Sequence, residues 1–169
     1  LEFGRLRFLD TATRRPVGGW DPPRDRITAI VQRGDRFYAA IGGKNPALYA
    51  VDQDGRGRLV GNLPKRATAV EVTPDGKHVA IREQDGRIHR LGQPADGETT
   101  FTVERSFVPA NKYRTRLWMR QNRAGFWVFE NASRKGWHVT GDTTREFKVP
   151  GGGTLWTDLA EFKDGLFLF

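Results

Sequence analysis

Residues 67–91, ATAVEVTPDGKHVAIREQDGRIHRL, decide the fold. The run reads as three short strands joined by two tight turns. Ala67, Ala69 and Glu71 alternate with Thr68, Val70 and Val72. Pro74-Asp75-Gly76 turns the chain, and Val79 and Ile81 then share one face of the next strand. Asp85-Gly86 turns it again, and Ile88, Arg90 and Leu91 carry the third strand. Proline presets φ at a turn position, and glycine supplies the positive φ that a tight hairpin needs.

The same grammar extends in both directions. Upstream, Leu6 and Phe8 alternate with Arg7 and Leu9, Asp10 to Thr13 forms a polar turn, and Val17 opens a second strand. Further strands are expected at Ile27 to Gln32, Phe37 to Ile41, Leu48 to Val51 and Leu59-Val60, with Asn62-Leu63-Pro64 as a connector. Downstream they are expected at Thr100 to Phe107, Arg114 to Arg120, Phe126 to Glu130, Trp137 to Thr140, Glu146 to Val149, Leu155 to Phe162 and Leu166 to Phe169. The best helix candidate, Thr157 to Lys163, is short and runs straight into Asp-Gly. Short strands at about ten-residue intervals, with 20 Gly and 9 Pro between them, point to an all-β barrel, sandwich or propeller.

Repetition decides among these. One hairpin turn recurs at Gly34, Gly76, Gly125 and Gly165; another recurs at Asp10, at Asp52, near Asp96 and at Asp142. A four-stranded unit at a period of about 40–50 residues is the signature of a propeller blade. Blades packed face to face bury both sides of each sheet, which accounts for apolar runs such as Phe126-Trp127-Val128-Phe129. On these residues a resemblance can be named. VEVTPDGKHVAI, residues 70–81, resembles the strand–turn–strand core of bacterial YVTN-type and TolB-like propeller repeats, and more loosely of WD repeats. LRFLDTATRRPV and LYAVDQDGRGRLV resemble the third-to-fourth-strand turns of the same repeats. The Trp-Asp and Gly-His pairs of a true WD repeat are missing. The resemblance implies a fold and no particular activity.

The expected organisation is a single β-propeller domain over 1–169 with about four blades of four antiparallel strands. Blades cover 25–62, 66–107 and 112–150, and residues 1–20 plus 154–169 share one blade. Pairing the two ends in one blade would hide sheet edges. The alternatives are half of a larger ring, with two copies joining into eight blades as a homodimer, or a fragment of a six- to eight-bladed propeller. The chain opens at Leu1 without a basic-then-apolar leader, which we read as a processed or partial chain whose compartment is undetermined. No apolar run approaches a membrane span, and the absence of cysteine removes disulfides and thiolate metal sites.

A net charge of +8 and a pI near 10.3 favour an acidic partner. In Lys112 to Arg123, strand alternation puts Lys112, Arg114, Arg116, Trp118 and Arg120 on one face. Such a stripe suits phosphate contacts with stacking; it equally suits arginines paired with carboxylates between blades. Further basic residues sit at turns: Arg14 with Arg15, Arg56 with Arg58, Lys65 with Arg66, and Arg134 with Lys135. The first two pairs occupy equivalent turns and should share a rim. Trp20, Trp118, Trp127, Trp137 and Trp156 are candidate hot spots if exposed, and Trp127 and Trp156, inside apolar runs, read as core.

Enzymatic signals are weak. There is no G-x-S-x-G elbow and no P-loop. Glu71, Glu83, Glu130, Asp158 and Glu161 are the carboxylates from which a glycosidase-like pair would come, and the sequence places no two of them together. Asp52-Gln53-Asp54-Gly55 lacks the later acidic ligands of a calcium loop and reads as a turn, and His78, His89 and His138 fall on different strands. No cofactor is expected. The leading expectation is a non-enzymatic binding or scaffold module that presents rim loops to an acidic macromolecular partner, with a protein partner expected. Nucleic-acid or polyanion binding through the 112–123 stripe is the second reading, and a propeller hydrolase or lactonase with a channel-mouth site is the third.

Overall fold

The structure, a computed structural model, describes residues 4–73, 76, 78–108, 117–121, 125–130, 134–140, 143–148, 159–162 and 165–168. All regular structure among them is β. The chain runs β1 (Leu6–Leu9), β2 (Pro16–Trp20), β3 (Ile27–Arg33), β4 (Arg36–Ile41), β5 (Ala47–Val51), β6 (Gly57–Asn62), β7 (Ala69–Val72) and β8 (Val79–Arg82). It continues with β9 (Ile88–Gly92), β10 (Thr102–Phe107), β11 (Leu117–Gln121), β12 (Gly125–Glu130), β13 (Lys135–Thr140), β14 (Thr143–Lys148), β15 (Leu159–Phe162) and β16 (Gly165–Leu168).

Three sheets are four-stranded meanders, β3 to β6, β7 to β10 and β11 to β14, in which each strand pairs antiparallel with its neighbour in sequence. β1–β2 and β15–β16 are two-stranded hairpins in separate sheets. This is a β-propeller repeat architecture of about four blades. Several strand boundaries differ from the sequence reading by a few residues. Asn62 belongs to β6 rather than to a connector, held by mutual backbone hydrogen bonds with Thr99 and Phe101. Leu159–Phe162, which falls both in an expected strand and in the best helix candidate, is a strand that pairs with β16 from Leu159↔Leu168 to Phe162↔Gly165.

Blade stacking explains why the apolar pattern departs from strict alternation. β5 and β9 are buried along their whole length, because a blade covers each face. On one face of the β3–β6 blade, Ala39, Ile41, Ala47, Tyr49 and Val51 pack against Trp20 and partly buried Leu6 and Phe8 of the first hairpin. On its other face Tyr38, Ala40, Leu48 and Ala50 meet Val70, Val72, Val79, Ile81 and Leu91. Ala80 and Ile88 then face Phe126, Val128 and Val139 of the following blade. Burial of a Leu or Ile side chain contributes about 1.5–3 kcal/mol, so these interfaces are the chief stabilising term. The outer strands β6 and β10 are mostly exposed.

Charged residues in the stack are paired. Arg33 donates from Nε to the Val72 carbonyl (2.9 Å) and from Nη2 to the Glu71 carboxylate, tying the β3–β4 blade to the inner strand of the next. Buried Arg90 meets Glu104 across β9–β10 at 2.9 Å.

A candidate binding rim

Two Asp-led turns build the rim. In the first, the Asp10 carboxylate accepts from Thr13 N–H (2.6 Å) and Thr13 Oγ1–H (2.7 Å), and Arg14 N–H reaches the Asp10 carbonyl at 2.8 Å. Those bonds to Thr13, the backbone one foremost, hold the Asp10 carboxyl below its ordinary range. Arg14 adopts φ +57°, and the side chains of Arg14 and Arg15 are left exposed. In the second turn, Asp52 Oδ1 accepts from Arg56 N–H at 2.8 Å, and Gly55 N–H bonds to the Asp52 carbonyl at 3.1 Å. Short side chains that satisfy backbone donors locally are what such turns require.

The second turn packs on the hairpin that the first turn closes. Gly55 lies against the Gly19 backbone and Gly57 against the Trp20 ring, so the β5–β6 turn docks on β2. Phe8, beside the first turn, packs on Phe37, beside the β3–β4 turn, with ring centroids 5.3 Å apart. Topology puts the β3–β4 and β5–β6 turns at the same end of their blade. Arg14, Arg15, Arg56 and Arg58 therefore share one end of the stack.

That end carries a feature the sequence did not disclose. A concavity of about 400 Å³ is lined by Arg36, Ala50, Asp52, Arg56, Gly57 and Arg58. The register Phe37↔Val51↔Gly57 brings Arg36 beside Asp52 and Arg56, and Ala50 lies opposite Arg58. Arg36, Arg56 and Arg58 are exposed, and among the described residues none of their guanidiniums has a carboxylate partner. Apolar side chains flank the same turns: Leu9 is 58% exposed, Val17 68% and Leu59 37%.

The other sequence candidates are placed differently. Arg134 and Lys135 lie at the β12–β13 turn, the opposite end of a blade, and Lys135 Nζ pairs with Glu146 at 2.9 Å. That pair, chiefly the Lys135 hydrogen bond, lowers the Glu146 carboxyl. Lys112, Arg114 and Arg116 lie outside the described residues. Trp118 and Arg120 are on β11, opposite Phe129 and Trp127. Trp20 is buried against Tyr49, at 5.2 Å between centroids, and is not an exposed hot spot. Trp127 stacks on His138 at 4.0 Å, and half-buried Trp137 packs on Phe107 at 5.7 Å. Trp156 lies outside the described residues.

Of the candidate catalytic carboxylates, Glu71, Glu83 and Glu130 are engaged in structure, while Asp158 and the Glu161 side chain lie outside the described residues. Glu71 holds Arg33, and Glu130 is buried in β12. Glu83 Oε1 lies 2.7 Å from His89 Nε2, and His89 Nδ1 lies 2.8 Å from Ser106 Oγ. Both His89 nitrogens are thus occupied, which leaves no lone pair for a metal. Among the described residues no three His, Asp or Glu side chains cluster as a metal site. Nor is any helix long and apolar enough to cross a membrane among them.

No protein-family model matches the chain, and no curated protein matches it. Solved structures do. The chain is similar to a protein from Lactobacillus plantarum, at 17% identity over 79% of this chain and 46% of that one, with a TM-score of 0.53. It is similar to Kluyveromyces lactis Hsv2 at 12% identity over 86% of this chain and 55% of that one, also with a TM-score of 0.53. The β-propeller domain of Swd1 from Myceliophteria thermophila aligns at 18% identity over 74% of this chain and 42% of that one, with a TM-score of 0.48. The chain spans about half the length of the structures it matches. Identities this low bear on the fold alone.

Proposed function

We propose that this chain is a non-enzymatic propeller binding module whose Asp-led turns present a basic rim to an acidic protein partner. The observation that carries this reading is the mixture at those turns. Arg14 and Arg15 sit between exposed Leu9 and Val17, and Arg56 and Arg58 sit beside exposed Leu59. Apolar contact area inside a charged rim suits a folded or helical protein segment better than a phosphate backbone. Fixed turns supply geometry without an ordering cost, and the +8 net charge adds electrostatic steering.

The test uses two probes of matched charge, an acidic amphipathic peptide and duplex DNA, with affinity measured over a salt series. The reading expects the peptide to bind with a shallow salt slope, and charge reversal at Arg14, Arg15, Arg56 and Arg58 to remove binding. Tighter DNA binding with a steep salt slope would transfer the function to a polyanion site. No binding of either probe would defeat the rim reading.

A further inference from the structure

We propose that the concavity ringed by Arg36, Arg56 and Arg58 is a receptor for a phosphomonoester group carried by the acidic partner. The inference rests on the rim reading and sharpens it from general acidity to one chemical group. Three guanidiniums and one carboxylate line the cavity, which leaves two net positive charges. A phosphomonoester carries about −1.5 to −2 at neutral pH, so the charges match. A side-chain carboxylate carries one charge and would leave a guanidinium uncompensated.

Geometry points the same way. The arginines come from three places: Arg36 opens β4, Arg56 ends the Asp52 turn, and Arg58 lies on β6. Three guanidinium forks on one lining, one from β4 and two from the β5–β6 hairpin, suit a tetrahedral group with several acceptor oxygens, where a planar carboxylate is satisfied by one fork. The volume of about 400 Å³ also exceeds what a lone carboxylate needs and accommodates a phosphorylated side chain. Asp52 does not close the site. Its Oδ1 is committed to Arg56 N–H at 2.8 Å, which fixes the turn bearing two of the arginines. Its charge nonetheless opposes the ligand, so the carboxylate sets the affinity without making the contact.

The test titrates the whole chain with four probes: inorganic phosphate, sulfate, an acidic peptide, and the same peptide bearing one phosphoserine. The phosphopeptide is expected to bind about tenfold tighter than the unphosphorylated peptide, as charge-assisted hydrogen bonds of about 1.5 kcal/mol or more require. It should also bind tighter than inorganic phosphate. Binding should weaken between pH 7.5 and 5.5, as the phosphate passes its second pKa of about 6, while sulfate binding stays constant. Arg58→Gln should remove the phosphate-dependent increment. Asp52→Asn keeps the acceptor for Arg56 N–H and removes a charge, so it should tighten phosphopeptide binding several-fold; a misfolded variant cannot give that gain. Equal affinity for the two peptides, or no gain in Asp52→Asn, would overturn the proposal while leaving rim binding of the unphosphorylated peptide intact. Free phosphate binding as tightly as the phosphopeptide would overturn the assignment to a partner-borne group.

Discussion

Two alanine substitutions separate local turn strain from docking between blades. Gly34 and Gly55 both have positive φ, +60° and +79°, so alanine carries a similar left-handed penalty at each, about 1 kcal/mol. Their surroundings differ. A methyl group at Gly34 would project into open space, whereas one at Gly55 would run into the Gly19 carbonyl oxygen on β2. A backbone atom cannot rotate away, so Gly55→Ala must push the β5–β6 turn off the first hairpin. Overpacking of that kind costs about 1–3 kcal/mol. Gly34→Ala should therefore lose about 1 kcal/mol and Gly55→Ala about 2–4 kcal/mol. The gap of about 1–3 kcal/mol corresponds to roughly 2–12 °C in Tm for a chain of this size. Urea unfolding followed by the fluorescence of the five tryptophans measures both. Equal losses in the two variants would refute the docking of the turn on β2, and with it the shared rim.

Other perturbations probe the rest of the stack. Leu48→Ala empties a fully buried position between two blades and should cost about 2–5 kcal/mol in the same unfolding experiment. Arg33→Met removes the guanidinium that holds Glu71 and the Val72 carbonyl across blades, and should cost about 1.5–3 kcal/mol by chemical denaturation. Asp10 should titrate below the ordinary carboxylate range by NMR, and Thr13→Val, which removes one of the two Thr13 bonds, should raise it. Because the folded-state pKa is the lower one, the stabilisation is present above the unfolded pKa and disappears as pH falls through the folded value. An acid titration should show a smaller loss of stability in Asp10→Asn over that window.

Turn chemistry made most of the fold legible. Gly34, Gly76, Asp10 and Asp52 punctuate the chain at blade spacing, and the strands they separate appear with boundaries shifted by only a few residues. The acidic turn residues also pointed to Arg14, Arg15, Arg56 and Arg58. Arg36 was not recoverable, because it comes from a different hairpin. Only the Phe37↔Val51 register brings it to the cavity, and alternation within a strand does not encode register between strands. The Glu83–His89–Ser106 link was hidden for a related reason. An irregularity between Val103 and Arg105 shifts β10 by one residue, so Ser106, and not Arg105, lies opposite His89. Nothing in the local pattern around Trp20 says whether it is exposed, because its burial depends on the blade packed over it.

The measurement that bears most directly on the rim is an amide NMR map of the whole chain titrated with the acidic amphipathic peptide. Shifts should concentrate at residues 10–17, 36 and 52–59, with little change at Arg134 and Lys135. Shifts confined to the 134–135 turn, or spread evenly over every basic turn, would contradict the rim assignment.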